Sequence, residues 1–258
     1  MLSGLKPGPI SEARTKAILL IMMLKELRTA VLEANLELVR RGLVLYTFGN
    51  ASGIDRGQGL IVIKPSGVEY DELRAELMVV TDLDGKVVEG TLRPSSDLAT
   101  HTLLYREFPA IGGVVHTHSE FATSFAQAGM EIPALGTTHA DTFYGPVPCT
   151  APLSDEAIGG RYVHETGVAI VRRFAATAER AATDPLGVPG CLVAGHGPFV
   201  WGRDAAEAAH NAVILEYVAR MAYRTLTLKA EAGGVSQALL DRHYFRKHGP
   251  GATYGQGG

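Results

Sequence analysis

The chain contains few cysteines, and they do not form a closely spaced pair. Its 258 residues include two cysteines, Cys149 and Cys191, which are too far apart in the sequence for a CxxC motif. This argues against a disulfide framework and favours a reducing, cytoplasmic setting. The nine histidines and the carboxylates therefore supply nearly all of the groups that could bind a metal ion.

The sequence also lacks a large excess of one charge and a long apolar run. Lys and Arg number 24, Asp and Glu number 27, and the formal net charge is −3. This balance predicts no global attraction to nucleic acid or to an acidic membrane surface. The apolar run "AILLIMML" at 17–24 is too short to cross a bilayer, and the charged "KELR" follows it directly. We therefore expect neither a membrane partner nor a targeting signal.

The hydrophobic pattern predicts one α/β domain. Apolar residues recur at helical spacing from Leu24 to Leu38, and further helices are predicted from Ser96 or Asp97 onward and over 119–129, 165–180 and 203–228. Strands are predicted over 60–63 and 112–115 and within "CLVAGHG", where the strand ends in His196, and a hairpin is predicted over 78–89. No repeat or linker divides the chain. We predict a three-layer α/β/α domain with a central, mostly antiparallel sheet flanked by helices.

Two histidines follow an apolar strand in "GGVVHTHSEF". Side chains alternate along a strand, so His116 and His118 should point to the same side. A third histidine, His196, lies between two glycines in "GHG". Three converging imidazoles with an open fourth position are typical of catalytic zinc. The alternative is that each histidine makes only local hydrogen bonds.

Three turns rich in serine and glycine lie within one stretch of the chain: "GNASG" at 49–53, "KPSG" at 64–67 and "PSSD" at 94–97. Each alone is typical of an ordinary turn. Together, with the lysine of "KPSG" and the backbone N–H groups of a helix start, they favour an anion site. Asp141 of "THAD" could serve as a base near a metal, although alone it is more typical of a turn.

Seven segments, in order along the chain, resemble the class II (zinc) aldolase family and most of all its L-ribulose-5-phosphate 4-epimerases. They are "TFGNASGIDR", "IKPSGV", "VVEGTLRPSSDLATH", "GGVVHTHS", "GTTHADTFYG", "GHGPFVWG" and "RKHG…YGQ". The resemblance implies a catalytic domain with a C-terminal tail over 23–258, and an extension over 1–22 that precedes the family's usual start. Met23 is accordingly a candidate initiator.

The resemblance also implies a role for particular residues. It implies a homotetramer with four-fold symmetry and active sites between subunits, and a zinc ion, with Mn²⁺ or Co²⁺ admitted by the same ligands. Asp141 and Tyr254 match an acid/base pair, and His243 and Arg246 match residues that approach from a neighbouring subunit. Asp97, His116, His118 and His196 match the metal ligands. The residues that match the phosphate pocket are Asn50, Lys64, Ser66, Gly67, Ser95 and Ser96.

The implied reaction converts L-ribulose 5-phosphate to D-xylulose 5-phosphate, in carbohydrate metabolism such as arabinose catabolism. The bond between carbons 3 and 4 breaks in a retro-aldol step and forms again on the other face. Three alternatives remain: an aldolase of the L-fuculose-1-phosphate type, which carries glutamate at the position of Asp97, a zinc hydrolase, and a structural zinc protein. One departure is "YVHETG", where Val163 replaces the acidic residue of relatives.

Overall fold

Seven antiparallel strands form one sheet in the part of the chain that the structure describes. The computed structural model describes residues 22–178, 181–249 and 252. The predicted extension, apart from residue 22, and Tyr254 lie outside these residues. The strands are β1 (Asn50–Asp55), β2 (Leu60–Ile63), β3 (Val79–Asp82), β4 (Val87–Glu89), β5 (Gly113–His116), β6 (Gly190–Val193) and β7 (Gly197–Gly202). Their order is β4-β3-β2-β1-β5-β7-β6, and each neighbouring pair is antiparallel.

Helices flank this sheet in the described part of the chain. A 3₁₀ turn spans Ala75–Leu77. None of the described helices has both the length and the apolar character that a bilayer crossing requires. The described α-helices are α1 (Lys25–Arg40), α2 (Leu98–Glu107), α3 (Glu120–Gln127), α4 (Thr137–Ala140), α5 (Asp155–Gly159), α6 (Tyr162–Phe174), α7 (Ala205–Leu228) and α8 (Gln237–His248).

The alternation of side chains in β1 separates two helix layers. A Cβ on Gly53 would contact Val31 of α1 and Ala205 of α7, so these two helices cover one face of the sheet. The next residue back, Ser52, faces the other way, and its hydroxyl lies 2.7 Å from Nδ1 of His101 in α2. Helix α2 packs in turn on α6. The prediction of a three-layer α/β/α domain with a central antiparallel sheet is therefore confirmed.

Local boundaries confirm part of the sequence prediction and correct the rest. The strand over 60–63 is confirmed as β2. The helix predicted over 165–180 begins earlier, at Tyr162, and ends at Phe174, because Ala175 adopts extended backbone angles. The strand predicted to end in His196 ends at Val193. His196 instead lies in the tight turn between β6 and β7, where Gly195 has a φ of 71° and permits the reversal.

Candidate metal centre and anion pocket

Three imidazoles meet at one edge of the sheet. His116 ends β5, and His196 directly precedes β7. Because β5 and β7 are antiparallel neighbours, with His116 opposite Phe199, the end of one strand lies beside the start of the other. His118 follows two residues beyond the end of β5, and its ring centroid lies 4.9 Å from that of His116 and 5.1 Å from that of His196. The predicted convergence of two strand ends thus brings His196 to His116, whereas His118 lies beyond β5 and not, as predicted, on one strand with His116.

The hydrogen bonds of His116 leave one ring nitrogen directed at the cluster. Its Nδ1 lies 2.9 Å from the carbonyl oxygen of Pro198, so Nδ1 donates and Nε2 keeps its lone pair. The ring stacks on Phe199 with centroids 4.2 Å apart. Burial lowers the pKa of His116 to about 3, which keeps the imidazole neutral at ordinary pH.

The spacing of the ring nitrogens fits a shared cation. Nε2 of His116 and Nε2 of His118 are 3.1 Å apart, and one ligand atom from each of the three histidines lies within 4.8 Å of the others. Zinc–nitrogen bonds of about 2.0–2.1 Å in a tetrahedral arrangement place neighbouring ligands about 3.3 Å apart. His116 is buried, but His118 is exposed, so the cluster opens to solvent on one side as a catalytic site requires.

Tyr162 contacts the third histidine, a contact that the sequence analysis missed. Its hydroxyl lies 3.2 Å from Nδ1 of His196. If His196 binds a metal through Nε2, then Nδ1 carries the proton and Tyr162 accepts it in a hydrogen bond. Burial, together with the neighbouring His118, lowers the pKa of His196. No short motif links the two residues, since they come from α6 and from the β6–β7 turn.

Asp97 lies in the same pocket but outside the group of three imidazoles. It occupies the position before α2, yet its side chain does not cap the helix. Its carboxylate instead accepts a hydrogen bond of 2.7 Å from Nδ2 of Asn50. Burial alone would raise the pKa of Asp97, but the nearby imidazoles of His116 and His101 and the Asn50 amide lower it below its usual value. Asp97 is thus an anion that lines the same cavity as the histidine cluster.

A cavity of about 360 Å³ joins the histidines to the three Ser/Gly segments. The prediction of a turn for "GNASG" is wrong, because Asn50 begins β1 and only Gly49 precedes the strand. Backbone hydrogen bonds tie the second and third segments together, because Ser66 donates to the carbonyl of Arg93 and Ser95 to that of Lys64, both at 2.9 Å, and Lys64 donates to the carbonyl of Ala51 in the first segment at 3.4 Å. All ten residues predicted to bind metal or phosphate line this cavity: Asn50, Lys64, Ser66, Gly67, Ser95, Ser96, Asp97, His116, His118 and His196. Their roles as ligands stay a prediction; their convergence is a structural fact.

The predicted base, Asp141, lies in a different cluster. It follows α4 and accepts hydrogen bonds from His243 at 3.0 Å and Arg246 at 3.1 Å, and Lys247 lies 3.3 Å away. Burial would raise the pKa of Asp141, and these three basic groups lower it below its usual value. None of the four residues lines the cavity. The structure therefore brings His243 and Arg246 to Asp141 of their own chain, and the approach to a neighbouring subunit stays a prediction.

Glu216 of α7 holds the segment that follows His118. Its carboxylate accepts hydrogen bonds from the backbone N–H of Phe121 at 2.8 Å and of Ala122 at 2.9 Å, in the first turn of α3. Ser119, at the capping position, makes no side-chain cap. Sequence reasoning would choose Ser119 as the cap, because Glu216 lies far along the chain and no local pattern reveals it.

The fold agrees with comparison to known proteins. The chain belongs to the class II aldolase family, since the family model described as the class II aldolase and adducin N-terminal domain matches residues 29–223. The resemblance predicted from the sequence is thereby confirmed.

Two curated relatives from bacteria are similar over most of this chain. The chain is 52% identical over 233 residues to the L-ribulose-5-phosphate 4-epimerase UlaF of Salmonella paratyphi B, covering 90% of this chain and 100% of the relative. The match to the UlaF of Salmonella typhi has the same identity and coverage. A solved L-fuculose 1-phosphate aldolase has a TM-score of 0.68 at 23% identity, over 86% of this chain and 96% of the aldolase. That likeness is one of fold.

Proposed function

We propose that the protein is a metal-dependent L-ribulose-5-phosphate 4-epimerase. One observation carries the proposal: a single cavity joins a three-imidazole cluster and Asp97 to the lysine and serine turns of an anion pocket. The identity of 52% to curated 4-epimerases over nearly the whole chain supports the choice of substrate. The product is D-xylulose 5-phosphate.

The donor set fits zinc. Neutral imidazole nitrogens, an adjacent carboxylate and an open side are the features of a catalytic zinc site, and Mn²⁺ or Co²⁺ suits the same donors. His116, His118 and His196 would hold the ion, with Asp97 beside them. When bound, the ion supplies Lewis-acid polarisation of the ketone and its adjacent hydroxyl.

Residues of the chain bind the phosphate and transfer the protons. Lys64, with the hydroxyls of the serine turns, holds the phosphate, so that the two-carbon aldehyde stays bound after the bond between carbons 3 and 4 breaks. The aldehyde rotates, and the bond forms again on its other face. A proton leaves the carbon-4 hydroxyl on one side and returns on the other, which needs two proton-transfer groups. Asp141 and Tyr254 take these roles.

The separation of Asp141 from the cavity supports an active site shared between subunits. We propose a four-fold symmetric homotetramer in which the Asp141 cluster and Tyr254 complete the cavity of a neighbour. Large apolar side chains close to the cavity mouth suit contact between copies, since Tyr46 is 80% exposed and Phe48 is 55% exposed.

A complementation assay tests the shared site. His116→Ala and Asp141→Asn are each expected to abolish turnover, and a mixture reassembled from both should recover part of it, because some sites then carry both intact halves. Reassembled mixtures with no activity, or a particle mass that matches one chain, would refute the shared site.

A substrate assay tests the function itself. The zinc-loaded protein should convert L-ribulose 5-phosphate to D-xylulose 5-phosphate and leave L-fuculose 1-phosphate intact. Release of dihydroxyacetone phosphate from the latter, without xylulose 5-phosphate from the former, would favour the aldolase. A structural zinc protein should unfold when chelators remove the metal, whereas a catalytic site should mainly lose activity.

The cellular setting is a further part of the proposal. Both cysteines are free thiols, which fits a reducing cytoplasm. The place of the reaction in arabinose catabolism stays a prediction from the resemblance.

A further inference from the structure

Tyr70 lies beneath the anion pocket without lining it. The side chain is 6% exposed, and the cavity is bounded instead by residues that Tyr70 contacts. Burial raises the pKa of its hydroxyl, so the group remains a hydrogen-bond donor across the working pH range. Neither the sequence pattern nor the family resemblance singled out this residue.

The hydroxyl of Tyr70 holds the first turn of the pocket. It lies 3.0 Å from the carbonyl oxygen of Phe48 and 3.0 Å from that of Gly49, and it shares its single proton between these two acceptors. In this turn, which leads into β1, Tyr46 has a φ of 52°, a left-handed conformation that strains a residue other than glycine, and Gly49 has a φ of 76°, which glycine adopts freely. A turn of this kind keeps its shape only where its surroundings fix it.

The ring of Tyr70 supports the lysine of the second turn. The ammonium of Lys64 lies 4.7 Å from the ring centroid, and its Nζ donates to the carbonyl of Val68 at 2.9 Å. Lys64 is 1% exposed, and no carboxylate of the described residues lies within ion-pair distance of it. A buried ammonium with one carbonyl and one aromatic face retains donors for an anion.

The two contacts give Tyr70 a function in the pocket. The second and third turns are joined by backbone hydrogen bonds from Ser66 and Ser95. The first turn is joined to the second by the backbone hydrogen bond from Lys64 to the carbonyl of Ala51, at 3.4 Å, and through the Tyr70 side chain. Tyr70 therefore connects the Gly49 carbonyl to the Lys64 ammonium.

We propose that Tyr70 is a positioning residue for phosphate recognition, which preorganises the Gly49 turn through its hydroxyl and the Lys64 ammonium through its ring. This rests on the proposed function, in which the cavity binds a sugar phosphate. The ligand class is a phosphate monoester, and Tyr70 acts on it through other groups.

Two substitutions separate the two contacts. Tyr70→Phe keeps the ring under Lys64 and loses the tether, and Tyr70→Leu loses both. We expect inorganic phosphate, measured by calorimetry on the zinc-loaded protein, to bind about fivefold more weakly to Tyr70→Phe. A further loss of about tenfold is expected for Tyr70→Leu, since the cation–π contact is also removed. The KM for L-ribulose 5-phosphate should rise by the same factors, with a smaller change in kcat.

A matched control has the same kind of contact elsewhere. Tyr217 on α7 is 45% exposed and stacks against Arg220 at 5.3 Å, so Tyr217→Phe should leave phosphate binding unchanged. Zinc affinity, measured by chelator competition, should stay within about twofold in both Tyr70 variants. If Tyr70 only stabilised the fold, its substitution would weaken zinc binding and phosphate binding together.

The pH profile gives a second readout. Burial already lowers the pKa of Lys64, opposed by the charge of Glu69. Without the aromatic face the ammonium loses stabilisation, so the alkaline limb of phosphate binding should move to lower pH in Tyr70→Leu and stay in place in Tyr70→Phe.

The outcomes are distinct. Wild-type phosphate affinity in Tyr70→Phe, or parallel loss of zinc and phosphate, would overturn the role of Tyr70. A wild-type protein that binds no phosphate would overturn the proposed function as well. If Tyr70→Leu does not fold, the Tyr70→Phe result decides.

Discussion

Glu216 is expected to stabilise both the fold and the metal cluster, and Glu216→Ala tests this. The substitution removes two hydrogen bonds, of 2.8 and 2.9 Å, from the first turn of α3. Loss of a helix cap costs about 1 kcal/mol, and loss of a negative charge at a helix N-terminus costs up to about 1 kcal/mol more. Together these predict that the free energy of unfolding falls by about 2 kcal/mol.

Thermal unfolding measures this loss. In a chain of this size about 2 kcal/mol corresponds to a fall in Tm of about 4–8 °C. Because α3 begins directly after His118 and Ser119, a frayed first turn should also weaken zinc binding, by up to about tenfold. Glu216→Gln keeps one acceptor oxygen, so its Tm and its zinc affinity should both fall less than those of Glu216→Ala.

The control is an exposed glutamate in an ion pair. Glu33 lies 3.3 Å from Arg40, with its side chain 58% exposed, so Glu33→Ala should cost less than about 1 kcal/mol. An unchanged Tm for Glu216→Ala, or an equal loss for Glu33→Ala, would refute the capping role.

Three further predictions concern strain, protonation and catalysis. Gly49→Ala should lower the free energy of unfolding by more than about 2 kcal/mol, because φ is 76° and the new Cβ would lie 2.9 Å from the carbonyl oxygen of His116. Gly129→Ala has a φ of 66° and no heavy atom within 4 Å of the new Cβ, so its free energy of unfolding should fall only by the backbone strain. Burial lowers the pKa of both His101 and His139 to about 4, below the unfolded value of about 6.5, so the unfolded chain binds protons first. Urea unfolding should therefore show stability falling from about pH 6.5 to pH 4, by up to about 3 kcal/mol per histidine, and a flat profile would contradict it. Tyr254→Phe should keep its zinc and lose most epimerisation, and an unchanged rate would remove this tyrosine from the mechanism.

Local patterns predicted the elements whose contacts are local. The helix that begins after Leu24 appears as α1, and the apolar residues of β2 lie where the pattern indicates. The helix over 165–180 extends too far in the prediction, because apolar spacing continues past the point where Ala175 turns to extended angles. Propensity alone gives no signal for that change.

The candidate site was predictable as a set of residues but not as an arrangement. The histidines carry clear motifs, yet their meeting depends on the pairing of β5 with β7, which joins distant parts of the chain. Three further residues act through contacts with distant parts of the chain. Glu216 contacts backbone N–H groups, Tyr70 contacts backbone carbonyls, and Tyr162 contacts a ring nitrogen of His196. Such contacts produce no regular spacing of residues in the sequence, so only the folded structure reveals them.

Diffraction from zinc-loaded crystals, recorded at the zinc absorption edge, tests the central claim most directly. The account predicts one anomalous peak per chain, with ring nitrogens of His116, His118 and His196 each about 2.0–2.1 Å away. A peak elsewhere in the chain, with these three imidazoles bound to no metal, would contradict it.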